Sequence, residues 1–188
     1  MAIGFRASLA LLMVAMMMAL VVRGAAAHPT PATVPFRWEL RFEPGELRLY
    51  VDPVDRIPYW YFTYVVTNAT GRDQIWAPDL VLYTDAGEIV RAGEQVPSRV
   101  EEQIRELLGN ELLETQSEII GTIRQGIEHA RDGLAVWPVG ELRVTELSLF
   151  IGGLSGETAR VTNPVTGEPV ILRKSMERRY RVPGDPVA

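Results

Sequence analysis

Apolar and polar residues alternate with period two in segment after segment of this chain. The most apolar of these segments outside the N-terminus is 59–68, Tyr-Trp-Tyr-Phe-Thr-Tyr-Val-Val-Thr-Asn. It is aromatic and β-branched, carries no charge and has no internal Gly or Pro, the composition of a strand packed on both faces. Trp60, Phe62, Tyr64 and Val66 fall on one side and are assigned to the core; Tyr59, Tyr61, Thr63 and Val65 fall on the other. Residues 68–73, Asn-Ala-Thr-Gly-Arg-Asp, end the strand in a turn.

The same period predicts the neighbours. In 36–42, Phe36, Trp38, Leu40 and Phe42 share one face and Arg37, Glu39 and Arg41 the other, the pattern of a half-buried strand. Glu43-Pro44-Gly45-Glu46 reads as a turn, after which Leu47, Leu49 and Val51 resume the alternation until residues 52–56 break it. Leu80, Leu82 and Thr84 lead into a hairpin turn at Asp85-Ala86-Gly87, with a short partner strand at 88–91. Later strands are expected at 134–137, stopped by Pro138, and at 144–151 with Leu147, Leu149 and Ile151 inward. The tail reads as a hairpin, 160–162 returning through 169–182, before Pro183, Gly184 and Pro186 end the order.

Between 98 and 131 the period lengthens. Ser98 and Glu101 stand as a capping box, Val100, Ile104, Leu107 and Leu108 keep helical spacing, and Gly109-Asn110 is a helix stop. Ile119, Ile120, Ile123 and Ile127 predict a second helix from about 115 to 130, weakened by Gly121 and Gly126. This two-helix insertion is expected to cap one end of a sandwich and to offer its outer face to a partner.

The N-terminus changes the picture of location. Arg6 precedes the Leu-, Ala-, Val- and Met-rich run 9–22, and Ala25-Ala26-Ala27 supplies the small residues a signal peptidase needs. The run is shorter than the roughly 20 residues of a spanning helix, so residues 1–27 read as a signal peptide cleaved before His28, with 28–35 a Pro-rich linker and 36–188 the folded part. The expected location is exported, periplasmic or extracellular, with no membrane span after cleavage. The 188-residue chain has no cysteine, so its stability rests on packing. Its formal charge of −5 becomes more negative once Arg6 and Arg23 leave with the leader, which argues against nucleic acid as a partner.

Candidate chemistry is sparse. Without cysteine, and with His28 and His129 the only histidines, cysteine- and histidine-rich metal sites are excluded. Neither a phosphate-binding Gly loop nor a dinucleotide fingerprint is present, and no metal or cofactor is expected. Gly153-Leu154-Ser155-Gly156 lacks the final Gly of a nucleophile elbow, Glu157 standing there instead. Asn68-Ala69-Thr70 has the form of a glycosylation sequon, which its turn role accounts for. One enzyme alternative remains: cleavage before His28 would expose an amine and imidazole, and with His129 these would form a copper-binding histidine brace. His129 is more simply a cation at a helix C-terminus.

Two candidate surfaces remain. Tyr59, Tyr61, Trp76 and Trp137 would form a stacking platform for sugar rings if exposed, and core if buried. Arg173, Lys174, Arg178, Arg179 and Arg181 make a basic strand in an acidic protein, either a contact for an anionic partner or a guard on a sheet edge.

Residues 65–71, Val-Val-Thr-Asn-Ala-Thr-Gly, residues 133–138, Gly-Leu-Ala-Val-Trp-Pro, and the strand 147–151 resemble Ig-like sandwich modules of exported bacterial proteins. Over most of 36–182 the chain resembles uncharacterised secreted bacterial proteins with no assigned activity. The resemblance implies a mainly β fold, an Ig-like β-sandwich of about 7–9 strands carrying the two-helix insertion. The expected function is a non-catalytic exported module that binds an envelope or extracellular protein or scaffolds an envelope assembly. The alternative is a carbohydrate-binding module.

Overall fold

The computed structural model describes residues 29–140 and 143–182. The leader, His28 and the C-terminal Pro183-Gly184-Asp185-Pro186 therefore lie outside the described residues. Among the described residues the fold is mainly β, with one helix and several sheets, none of them closed. The strands are β1 (Arg41–Val51), β2 (Pro58–Asn68), β3 (Gln74–Trp76), β4 (Asp79–Thr84), β5 (Ile89–Arg91), β6 (Leu113–Glu114), β7 (Gly121–Ile123), β8 (Gly126–Pro138), β9 (Glu146–Gly152), β10 (Thr158–Thr162), β11 (Pro169–Arg173) and β12 (Met176–Arg181); the helix, α1, is Ser98–Leu108. One four-stranded sheet has the order β1-β2-β8-β6 and another β12-β9-β4-β5; β3 pairs with β7 and β10 with β11.

Both faces of β2 are covered, as its composition requires. Trp60, Phe62, Tyr64 and Val66 enter the main apolar cluster with Ala135 and Trp137 of β8 and with Leu80, Leu82, Leu147, Leu149 and Ile151 of the other four-stranded sheet. Two sheets sharing one core are consistent with a β-sandwich. The β2–β8 register sets large residues against small ones, Phe62 opposite Ala135 and Tyr64 opposite Gly133. The Tyr64 ring lies where a Cβ on Gly133 would be, so only glycine fits there. Tyr59 and Tyr61 face the other way, into a second cluster with Leu134 and Val136 and with Val100 and Ile104 of α1.

The structure corrects the helical insertion. Only α1 is helical: Pro97, with ψ 137°, is its N-cap, and Ser98 makes no cap hydrogen bond. The stop is as expected, Gly109 being left-handed at φ 60° with its N–H donated to Glu106 O. Residues 121–123 and 126–138 are strands, not a second helix, and His129 sits on β8 rather than at a helix end. Ile119 and Ile123 are buried while Ile120 and Ile127 are exposed. A spacing of four suits a helix and a strand equally; here β-branched residues and two glycines decide for the strand. Gly126 has φ 119°, a backbone that other residues rarely adopt. Nor does α1 cap an end of the sheets. It lies on the outer face of the β1-β2-β8-β6 sheet, over Tyr59 and Tyr61.

Three smaller expectations change. Phe36 is 66% exposed, and the regular strand begins only at Arg41. The turn at 43–46 is a bulge inside the continuous strand β1, with the register shifting between Pro44 and Leu47. The return strand 169–182 is broken at Lys174 and Ser175 into β11 and β12, which belong to different sheets.

The β1–β2 turn is bound to α1 by a buried carboxylate. Asp52 accepts a hydrogen bond from Val54 N at 2.9 Å and an ion pair from Arg99, which also reaches Asp55. Burial pushes the Asp52 carboxyl up, but the Val54 N–H and the Arg99 guanidinium outweigh it and hold its pKa below the ordinary value. A depressed folded-state pKa contributes stability above the unfolded value, and that contribution is lost as pH falls through the folded value. Denaturant unfolding should therefore show wild-type stability dropping as pH falls below about 4, with a smaller drop for Asp52→Asn. Equal drops would show that this pair does not couple the helix to the turn.

Candidate interaction surface

β9 and β12 form a hairpin ladder, Met176 opposite Ile151 through Arg181 opposite Glu146, and β10 and β11 continue it in the same antiparallel sense, Thr158 opposite Arg173 through Thr162 opposite Pro169. Between the two ladders one strand spends Gly153-Leu154-Ser155-Gly156-Glu157 and the other only Lys174-Ser175. The unequal lengths turn the outer hairpin out of the β12-β9-β4-β5 sheet and make it a two-stranded arm of its own.

The root of the arm is fastened to the N-terminal segment. Leu40 N donates to Leu154 O at 2.8 Å and Gly156 N to Trp38 O at 3.0 Å, while Glu39 bridges Ser155. Lys174 Nζ donates to Glu39 Oε2 at 2.7 Å and lies 3.6 Å from Glu157, whose other carboxylate oxygen accepts from Ala32 N at 2.9 Å. The Glu39 hydrogen bond raises the Lys174 pKa, so the ammonium stays charged where it is mostly buried. Ala32, expected in a loose linker, is thus tied into the fold.

The tip is built as firmly. Asn163 N donates to Glu168 O and Gly167 N to Asn163 O, both at 2.8 Å, and Asn163 Oδ1 accepts from the N–H groups of Val165 and Thr166. An isolated hairpin is marginal in water; this one is held at both ends. Between them every residue of β11 is exposed. Ala159, Val161, Val170 and Leu172 share one face, half covered. Arg160 and Ile171 stand opposite each other on the other face with Arg173, and Ile171 is 60% exposed. Val165 at the tip is 91% exposed.

The basic strand divides. Arg173 belongs to the arm. Lys174 is neutralised at the root by Glu39 and Glu157 and offers no free charge to a partner. On the sheet-edge strand β12, Arg179 pairs with Glu177 at 2.7 Å and Arg181 stands 4.0 Å from Glu146. Arg178 shares its face of the strand with Met176 and Tyr180, which pack against the core, so a charge sits on the inward side of the edge, where it deters another strand from adding.

The sugar platform is not formed: Tyr59, Tyr61, Trp76 and Trp137 are all buried. Among the described residues the aromatic pair of Tyr83 and Phe150, on the outward side of β4 and β9, meets edge to face at 69°, not as a flat surface. Phe36 and Trp38 line a cleft of about 560 Å3 with Arg37, Glu39, Thr70 and Arg72. Asn68 is buried, donating to Arg72 O and Ile123 O and accepting from Thr70, which leaves its amide no room for a glycan. The Ser155 hydroxyl accepts from Glu157 N in the loop that turns the arm out. No cluster of metal-ligating side chains occurs among the described residues, and no helix among them is long and apolar enough to cross a membrane.

The sequence marked the hairpin itself, 160–162 returning from 169, and Arg173 as one end of a basic strand, but not that the hairpin stands as a sheet of its own with an exposed apolar middle. The signal was present in Val170-Ile171-Leu172, an apolar run with no alternation beside a Pro-Gly-rich turn. No family model, curated protein or solved structure matches this chain.

Proposed function

We propose that the chain is a non-catalytic exported module, an Ig-like β-sandwich that binds a protein or scaffolds an envelope assembly, and that the β10–β11 arm is its docking element. The observation that carries this reading is a hairpin stiffened at root and tip whose middle exposes Ile171 between two arginines. A preformed arm loses little conformational freedom on binding, so its apolar contacts are spent on affinity. The carboxylates with lowered pKa, Asp52, Asp85 and Glu118, are each held by hydrogen bonds at turns, where they secure chain segments to one another.

A glycan partner is the second reading, supported by the cleft beside Phe36 and Trp38, which combines aromatic walls with charged side chains. A photo-crosslinking residue at position 171, compared with one at Val54, which is at least as open, separates the two in the exporting cell. Protein adducts from position 171 that are missing from position 54 are the expected result. Identical adducts from both, or none from 171 with tryptophan emission responding to added envelope polysaccharide, would overturn the arm in favour of chance contact or of the cleft.

A further inference from the structure

The arm and a second surface of the same chain are complementary. From Thr158 to Val182 there are six basic and two acidic residues; from Ser98 to Glu118 there are six acidic and two basic. Within the arm, Arg160 and Arg173 flank Ile171 and meet no carboxylate among the described residues. At the C-terminal end of α1, Leu107 is 65% and Leu112 75% exposed, beside a cleft of about 400 Å3 lined by Arg105, Glu106, Gly109, Asn110 and Glu111. Arg105 is engaged by Glu118, whereas Glu106 and Glu111 meet no basic side chain among the described residues. An apolar side chain between two free cations thus has its counterpart in two leucines and a cleft beside two free carboxylates. Both surfaces are open in one copy, so the chain does not satisfy them against each other.

We infer that the partner of the arm is a second copy of this chain, the Arg160–Ile171–Arg173 face of one copy seating on the Leu107, Leu112, Glu106 and Glu111 patch of the next. This rests on the arm being a docking element and names what it docks on. The contact joins two different patches, so it is heterologous, and each copy keeps one arm and one patch free for further copies. Arm-to-arm pairing would instead set arginine against arginine. A contact this small and this charged is weak and weakens with salt, because screening shortens from about 10 Å at 0.1 M to about 3 Å at 1 M.

Sedimentation velocity of the purified protein over a concentration series tests this. The expected result is association that grows with concentration and recedes in high salt. Two charge-reversed forms are then compared, Arg160→Glu with Arg173→Glu, and Glu106→Arg with Glu111→Arg. Each alone is expected to be monomeric, because its arm and patch now carry like charge. Mixed, they should associate again, since each arm meets an opposite patch on the other form; this recovery also shows that both variants are folded. Wild type that stays monomeric throughout overturns the self-association, and adducts from position 171 to a different protein would leave the docking reading standing. Wild type that associates while the mixture stays monomeric overturns the pairing of arm with helix end.

Discussion

Replacing Phe62 by Ala is expected to destabilise the fold by about 3–5 kcal/mol, the range for emptying an aromatic site in a packed core. Phe62 is fully buried on β2, one of the two inner strands of its sheet. Its ring stacks on Tyr64 at 6.0 Å and on Phe42 at 6.4 Å, and its strand neighbours are Leu47 and Ala135. Ala135 is too short to fill the space, and Tyr64 is already fitted over Gly133, so the cavity cannot close by a small shift. Denaturant unfolding with an unchanged slope would report the loss as stability alone. A loss under about 1 kcal/mol would mean that the site collapses freely, against the packing described here.

Ile104→Ala should cost about 2–5 kcal/mol. Ile104 is fully buried, packed with Val100 against Tyr59, Tyr61, Leu134 and Val136. The helix is therefore the cover of the outer sheet face, and removing 97–132 would take with it β6, β7 and the first half of β8. Such a deletion should unfold the protein, not leave a bare sandwich. A change under about 1 kcal/mol for Ile104→Ala would make the helix a detachable piece.

What could be read from the sequence was whatever a local period determines. Strand 59–68 declared both its faces, and Leu147, Leu149 and Ile151 declared the inner face of β9. The hairpin at Asp85–Gly87 and the stop at Gly109 followed from residues that tolerate turns. The second helix misled because Ile119, Ile123 and Ile127 repeat every four residues, an interval that both periods contain. Whether Trp76 and Trp137 are buried is set by which sheet faces which, and no local pattern carries that. The root of the arm was equally hidden: Lys174 finds Glu39 across 135 residues, and the arm leaves the sheet only because Gly153–Glu157 has no equal on the opposing strand. Exposed Ile171 reads in sequence like any core isoleucine, so the proposed docking surface became visible only once its neighbours failed to cover it.

The central claim is that the β10–β11 arm is held out from the fold and serves contact, not stability. Replacing residues 159–172 by Asn-Gly joins Thr158 to Arg173, already opposite each other, through a two-residue hairpin turn. Equilibrium unfolding of this shortened chain is the most direct measurement. The account predicts stability within about 0.5 kcal/mol of wild type, the range for surface changes. A loss of about 2 kcal/mol or more, as large as a core truncation, would contradict it and make the arm part of the core.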